Sequence, residues 1–359
     1  DIQSRLTLYD LNGKRIKQIE LPETGNVGSL SYDREEDSVY ISLNTFTSET
    51  KIFIASPANF KWRLYYQRQL GVDMSNITGE IKFYNSKDNT RVPVFVIHRK
   101  DMKLDGKIAA ITGGTAGLGR GIAEAFLAEG ASVALMARNK DKGQRVLDEL
   151  GVGDRAIFIA GDAMEQADIE GFIDQTVAHF GAIDILVNNA GGAGDLQPMV
   201  NLSDEAFDQA MKWNVYSTFW ATRRALRPML ERKSGRIINI SSMEGKHGKP
   251  VFTAYTTAKH AINGMTKSLA REVGTEGITV NAICPGMVIT DIIRENGPHV
   301  AKTMGMTLDE MINHFAQESA IKRPNTVEEV AAVALLLASH EGGGITGAMI
   351  SVDGGTAQY

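Results

Sequence analysis

The sequence predicts a doubly wound α/β domain with a seven-stranded parallel sheet over residues 102–359, preceded by a small all-β extension over 1–101. Three observations predict it. Period-two alternation fills the first third of the chain, short apolar runs alternate with amphipathic stretches beyond it, and the first of those runs leads into a glycine-rich turn.

Residues 5–10 and 15–21 alternate around Asn12-Gly13, the strongest short-range hairpin signal. The runs 38–43 and 51–54 make a second antiparallel pair. The runs 80–84 and 92–97 make a third, flanking Lys87-Asp88-Asn89-Thr90. After Asp101, strands are predicted over 108–111, 133–137, 156–160, 183–187, 236–240, 279–283 and 348–352. Helices are predicted between them, among others over 121–128, 208–231, 255–272 and 326–339. Short apolar strands alternating with amphipathic helices mean a parallel sheet covered on both faces.

Composition excludes several function classes. The 359-residue length is natural for two domains, and with 43% hydrophobic and 23% charged residues the chain reads as a globular protein able to bury a full core. A net charge of −5 without any basic run leaves no footprint for nucleic acid or an anionic membrane. Without a spanning apolar run or signal-peptide core, a cytoplasmic protein is expected. The single cysteine, Cys284, ends an apolar strand and reads as a small buried hydrophobe. The seven histidines show no paired ligand spacing, so no metal is expected.

The run from Ile108 to Thr112 is a buried strand, and Gly113-Gly114-Thr115-Ala116-Gly117-Leu118-Gly119 leads from it into a helix. Glycines there permit a tight turn and close backbone approach to a pyrophosphate, which the helix N-terminus attracts. A glycine-rich turn alone is weak. Between a buried strand and a helix it points to a dinucleotide site of the Rossmann kind. The end of the second strand selects the dinucleotide. A carboxylate there would hold a ribose 2′-OH, but the chain reads Leu135-Met136-Ala137-Arg138-Asn139. Arg138 suits a 2′-phosphate and stacking on adenine, so NADP(H) is favoured over NAD(H). The competing reading is a surface arginine at a strand end.

Tyr255 and Lys259 stand four residues apart, on one helix face. A free tyrosine titrates at about 10, too high for a base at neutral pH. The adjacent ammonium, and a positive nicotinamide ring in the oxidative direction, are expected to lower that value. Thirteen residues before Tyr255, a buried strand ends in Ser241-Ser242, whose hydroxyls would project into a cleft. A Tyr-x-x-x-Lys pair is common by chance, and its weight comes from those serines and the glycine turn.

These features, with Asn188-Asn189-Ala190-Gly191, Asn214, Pro285-Gly286 and Val352-Asp353-Gly354-Gly355, resemble the ordered motif set of the short-chain dehydrogenase/reductase family from about Lys103 onward. The resemblance implies that Tyr255 is the general acid/base and that Ser242 hydrogen-bonds the substrate oxygen. Lys259 would lower the tyrosine pKa and bind the nicotinamide ribose, and Asn214 would hold a water of the proton relay. Gly113, Thr115, Gly117, Leu118 and Gly119 would cradle the dinucleotide, and Asp162 with Ala163 would meet its adenine. Asn189, Ala190 and Gly191 would line it beside the central strand, with Pro285, Gly286, Val288 and Thr290 around the nicotinamide carboxamide. Asn188 would brace the sheet. A homo-oligomer, usually a tetramer, built through the helices 208–231 and 255–272 is also implied.

The stretch 287–322 is too long for an ordinary connection, and in this family it is the lid over the substrate. Met304, Met306, Met311 and Phe315 would give it a pliable apolar face, although core packing competes. Glu244 and His247 follow Ser242 closely and could line the substrate mouth, but a solvated loop is the favoured reading of both, and His260 is read as structural. Specificity rests on the lid and Gly192-Ala193-Gly194. Ketoacyl thioester reduction and oxidation of small hydroxy acids or cyclic alcohols stay open. The reading is an NADP(H)-dependent oxidoreductase interconverting a small-molecule secondary alcohol and a ketone. The alternatives are an NAD-dependent hydroxy-acid or cyclic-alcohol dehydrogenase, and a non-catalytic dinucleotide-binding regulator. Tyr255 and Lys259 together favour an enzyme.

Residues 84–106 resemble prolyl oligopeptidases where their hydrolase domain begins, and the residues before them resemble the last blade of that family's β-propeller. That family's catalytic serine, aspartate and histidine have no counterpart, and the chain holds no Gly-x-Ser-x-Gly elbow, so peptidase activity is not implied. A lone blade leaves sheet edges uncovered, so docking on a neighbour or loose order is expected.

Overall fold

A computed structural model describes residues 4–23, 25–44, 50–67, 77–85, 91–99, 104–303 and 305–357. The predicted turn at 87–90, the junction at 100–103 and Met304 lie outside the described residues. The chain divides into two compact units, Asp1–Asp101 and Met102–Tyr359.

In the first unit, β1 (Leu6–Tyr9) and β2 (Arg15–Ile19) form an antiparallel hairpin. The Asp10 carboxylate accepts from the Asn12 and Lys14 amides at 2.9 and 2.8 Å. Of the turn residues only Gly13 takes a positive φ, +79°, and the pairing shifts register at Leu8/Tyr9. The connection is therefore a turn closed by a glycine bulge. Next, β3 (Asn26–Asp33), β4 (Ser38–Asn44), β5 (Lys51–Ala55) and β6 (Arg63–Gln67) form an antiparallel meander. Ile41, Leu43 and Phe53 make its small core with Leu21, Val27 and Trp62. The central pair was legible in the sequence. The outer strands were not, because most or all of their side chains face solvent and no apolar alternation marks them. Finally, β7 (Ile77–Asn85) pairs with β8 (Arg91–Arg99) in unbroken register.

The second unit opens with β9 (Ile108–Thr112), α1 (Gly117–Ala128), β10 (Ser132–Ala137), α2 (Lys140–Leu150), β11 (Ala156–Ala160), α3 (Gln166–Phe180) and β12 (Ile185–Asn188). It continues with α4 (Asp204–Met211), α5 (Ser217–Arg232), β13 (Gly235–Ile240), α6 (Thr253–Val273), β14 (Ile278–Pro285), α7 (Asp291–Thr303), α8 (Leu308–Glu318), α9 (Val327–Ala338) and β15 (Met349–Val352). All seven strands are parallel, in the order β11-β10-β9-β12-β13-β14-β15. One core lies between the sheet and α1 and α9, around Ile122, Phe126, Val330 and Leu337. The other lies under α3, α5 and α6, around Phe172, Ile173, Ala225 and Met229. The sequence order of the strands reverses between β9 and β12, so their C-terminal ends diverge into a crevice where such sheets bind ligands.

The helix predicted over 208–231 is interrupted. Between α4 and α5, Lys212–Tyr216 forms a turn of π-helix. Side chains satisfy the loosened backbone: Asn214 Nδ2 donates to the Ala210 carbonyl at 2.9 Å, and Thr218 Oγ1 to the Asn214 carbonyl at 2.8 Å. The long connection after β14 folds as α7 and α8. Among the described residues, no helix is long and apolar enough to cross a membrane.

Candidate active site

The crevice opens into a cavity of about 820 Å³ along the C-terminal ends of the strands. Its first wall is the turn after β9. Gly113 and Gly117 take φ of +66° and +51°, which a side chain would strain. A Cβ on Gly113 would come 2.9 Å from Asn189 Nδ2, and one on Gly119 would overlap the Gly113 carbonyl oxygen. The turn is pinned to the central strand: Asn189 Nδ2 donates to the carbonyls of Thr112 and Gly113 at 2.9 and 3.1 Å. Thr112 Oγ1 accepts from the amides of Asn189 and Ala190 at 3.0 Å each.

Helix α1 starts at this turn with no side-chain cap and no acid in its first turn. By contrast α8 and α9 each carry a complete capping box, Thr307 with Glu310 and Thr326 with Glu329. The uncapped start of α1 lines the cavity at Gly117 and Leu118, which suits an anion. Arg138 follows β10 and lines the cavity, with no hydrogen bond or ion pair among the described residues. The next residue, Asn139, is spent capping α2. Asp162, after β11, also lines the cavity, and its carboxylate accepts from the Met164 amide at 2.9 Å. A glycine cradle and a free helix start fit the pyrophosphate of a dinucleotide.

Ser242, Tyr255 and Lys259 line the same cavity. Ser242 stands just past β13, and its Oγ accepts from the Glu244 amide at 3.1 Å, leaving the hydroxyl proton for another partner. Lys259 is 3% exposed on α6, donates from Nζ to the Ile240 carbonyl at 2.9 Å, and lies 5.5 Å from the centre of the Tyr255 ring.

In the protein by itself, the lowering of the Tyr255 pKa expected from Lys259 is not found. Loss of hydration pushes the phenol up to about 12, and the Ser242 hydroxyl only partly offsets this. The Lys259 ammonium is directed at the ring and the Ile240 carbonyl, and burial brings it down to about 8.

Two predicted residues lie off the cavity wall. Gly119 packs α1 against the turn. Asn214, fully buried in the π turn, lies behind Gly191 and Gly192: its Oδ1 accepts from the Gly192 amide at 3.2 Å, and its Nδ2 donates to the Gly192 carbonyl at 3.0 Å. Asn188 donates to Thr222 and Asn239 under the sheet. The remaining predicted positions, Thr115, Leu118, Ala163, Ala190, Gly191, Pro285, Gly286, Val288 and Thr290, all line the cavity. So do Met311 and Phe315 of α8, whereas Met306 does not.

Glu244 overturns its reading as part of a solvated loop. It is 2% exposed and lines the cavity, with its carboxylate bonded to His247 Nε2 at 3.2 Å and Thr256 Oγ1 at 3.3 Å. The sequence reading also missed Trp213, Lys249 and Phe252, which line the cavity. Trp213 and Phe252 sit close to Asn214 and Tyr255 in sequence, but only the π turn and the start of α6 bring them inward. Cys284 is buried at the end of β14, where burial raises its thiol pKa. Among the described residues no group of three or more potential ligands is placed to hold a metal.

Comparison with known proteins converges on this architecture. Residues 107–301 match the short chain dehydrogenase family. The chain is 38% identical over 257 residues to a D-beta-hydroxybutyrate dehydrogenase of Rhizobium meliloti, covering 70% of this chain and 99% of the relative. It is 35% identical over 253 residues to a 3-oxoacyl-(acyl-carrier-protein) reductase of Chlamydia muridarum, covering 70% and 97%. An actinorhodin polyketide ketoreductase solved with NADPH superposes with a TM-score of 0.67 at 32% identity, covering 70% of this chain and 98% of that one. With the family matched over more than half its length and the glycine turn, serine, tyrosine and lysine gathered around one cavity, the chain belongs to the short-chain dehydrogenase/reductase family, an oxidoreductase acting on CH–OH groups.

Proposed function

We propose that the chain is an NADP(H)-dependent oxidoreductase that interconverts a secondary alcohol and a ketone, with Ser242, Tyr255 and Lys259 as its catalytic residues. One observation carries the reading: the glycine turn and these three side chains open onto a single cavity.

When bound, the nicotinamide supplies or takes up the hydride. In reduction, the Tyr255 phenol donates its proton to the carbonyl oxygen as charge builds there. Burial keeps it protonated near neutral pH and suits it to act as an acid. Ser242, whose oxygen accepts from the Glu244 amide, donates its hydroxyl proton to the same substrate oxygen. Lys259 is held against the Ile240 carbonyl, and its charge stabilises the phenolate left behind. Asn214 supports the site from behind by fixing Gly192. Trp213, Phe252, Met311 and Phe315 exclude water from the reacting end.

NADP(H) is favoured because Arg138 lines the cavity unpaired where an NAD enzyme places a carboxylate. The actinorhodin neighbour solved with NADPH supports the same choice. A homo-oligomer is supported by Tyr216, Phe219 and Leu230, exposed along the π turn and α5. The meander β3–β6 supports the likeness of residues 1–101 to a propeller blade.

Fluorescence titration with NADPH and NADH, followed by turnover on a ketone panel, tests the reading. Tyr255→Phe should cut turnover by about 10²–10⁴-fold while cofactor affinity changes only slightly. Arg138→Ala should weaken NADPH by roughly ten- to a hundredfold, the worth of a charge-assisted hydrogen bond, and leave NADH unaffected. Tighter binding of NADH than NADPH by the unaltered protein would refute the assignment of Arg138.

A further inference from the structure

The strand order places Arg138, after β10, three strands from Ser242, after β13, so the dinucleotide and substrate ends of the cavity are separate. Among the described residues, three ionisable side chains besides Tyr255 line the substrate end: Lys259, Lys249 and Glu244. Lys259 is bound to the Ile240 carbonyl beneath the tyrosine ring. Lys249 is bound to the Glu318 carboxylate of α8 at 2.5 Å and sits 4.5 Å over the Phe315 ring, so its charge is already matched. Glu244 is bonded to a histidine and a threonine, without a lysine or arginine. It is 2% exposed, two residues beyond the catalytic serine. The rest of this wall is largely apolar, from Trp213 and Phe252 to Met311 and Phe315.

Resting on the reductase reading above, we propose that Glu244 is a specificity-determining residue that restricts the enzyme to uncharged, largely apolar ketones and secondary alcohols and excludes substrates bearing a carboxylate. A substrate carboxylate entering this end would meet the Glu244 charge in a wall with little water to screen it, while both nearby ammonium groups are engaged. A neutral ketone of the same shape meets no such opposition. On this inference the chain's substrate differs from the hydroxy acid that the name of its Rhizobium relative specifies.

The test compares methyl acetoacetate with acetoacetate, nearly isosteric and differing in charge, using the full chain and NADPH at neutral pH. The unaltered protein should favour the ester at least tenfold in kcat/KM, and Glu244→Gln should narrow that ratio at least tenfold by improving the acid. Equal or better turnover of the acid by the unaltered protein overturns the inference without the variant, so a Glu244→Gln chain that fails to fold leaves it falsifiable. A ratio unchanged in a folded Glu244→Gln overturns it as well. If no ketone of a broad panel consumes NADPH, the reductase reading fails and the inference falls with it. NADPH consumption that favours the acid sinks the inference alone.

Discussion

Lys259→Met should leave the cofactor-free fold no less stable while abolishing turnover. Burial brings the Lys259 ammonium from its ordinary 10.5 down to about 8. At 1.36 kcal/mol per pH unit, holding it charged inside the fold at pH 7 costs about 3 kcal/mol. Methionine matches the length of the aliphatic stem without the ammonium and removes that cost. It also strips the Ile240 carbonyl of its donor, and a bare buried carbonyl costs about 1–3 kcal/mol. The net expectation is a variant between equal stability and a gain of about 2 kcal/mol at pH 7. The pH dependence separates this account from a simple packing effect. The unfolded chain binds the lysine proton up to 10.5 and the folded chain only to about 8, so the unaltered protein gains stability as pH rises through that window. The variant's stability relative to its parent should fall by about 3 kcal/mol between pH 8 and 10.5, leaving the variant the less stable of the two by about 1–3 kcal/mol above that window. Urea unfolding followed by tryptophan fluorescence, with Trp213 and Trp220 in the dehydrogenase unit, reads the gap. A variant less stable by more than about 1 kcal/mol at pH 7, or a gap that stays constant with pH, would refute the reasoning.

Two further outcomes are expected. Gly119→Ala would drive its Cβ into the Gly113 carbonyl oxygen, backbone with little room to give, so it should destabilise the unit by about 1–3 kcal/mol and weaken dinucleotide binding, read by thermal denaturation and NADPH titration. In the proposed mechanism alcohol oxidation needs the Tyr255 phenolate, and burial pushes the phenol up to about 12. The oxidation rate should therefore climb about tenfold per pH unit above neutrality until the bound cofactor's charge brings a plateau, while ketone reduction stays nearly flat. An oxidation rate independent of pH between about 6 and 8 would mean that the phenolate is already formed.

Much of the site was legible without coordinates because its chemistry is written in local patterns. The turn Gly113–Gly119 follows from a strand meeting a helix, the Tyr255–Lys259 pair from helical spacing, and Ser242 from a strand that ends in hydroxyls. The same holds for the seven strands, whose apolar runs differ from the observed bounds by at most two residues. Less of the extension was legible, since β3 and β6 bury little and show no alternation.

What the sequence could not express were properties belonging to enclosure and to neighbours distant along the chain. The Tyr255 phenol rises because the folded protein strips it of water, and a four-residue spacing to a lysine carries no information about desolvation. Glu244 looks like a loop acid until β13, α6 and the loop between them enclose it. Lys249 is neutralised by Glu318, 69 positions further along. Spacing names the groups that can do chemistry. Packing alone decides which of them are dry, which are paired and which charge a substrate meets.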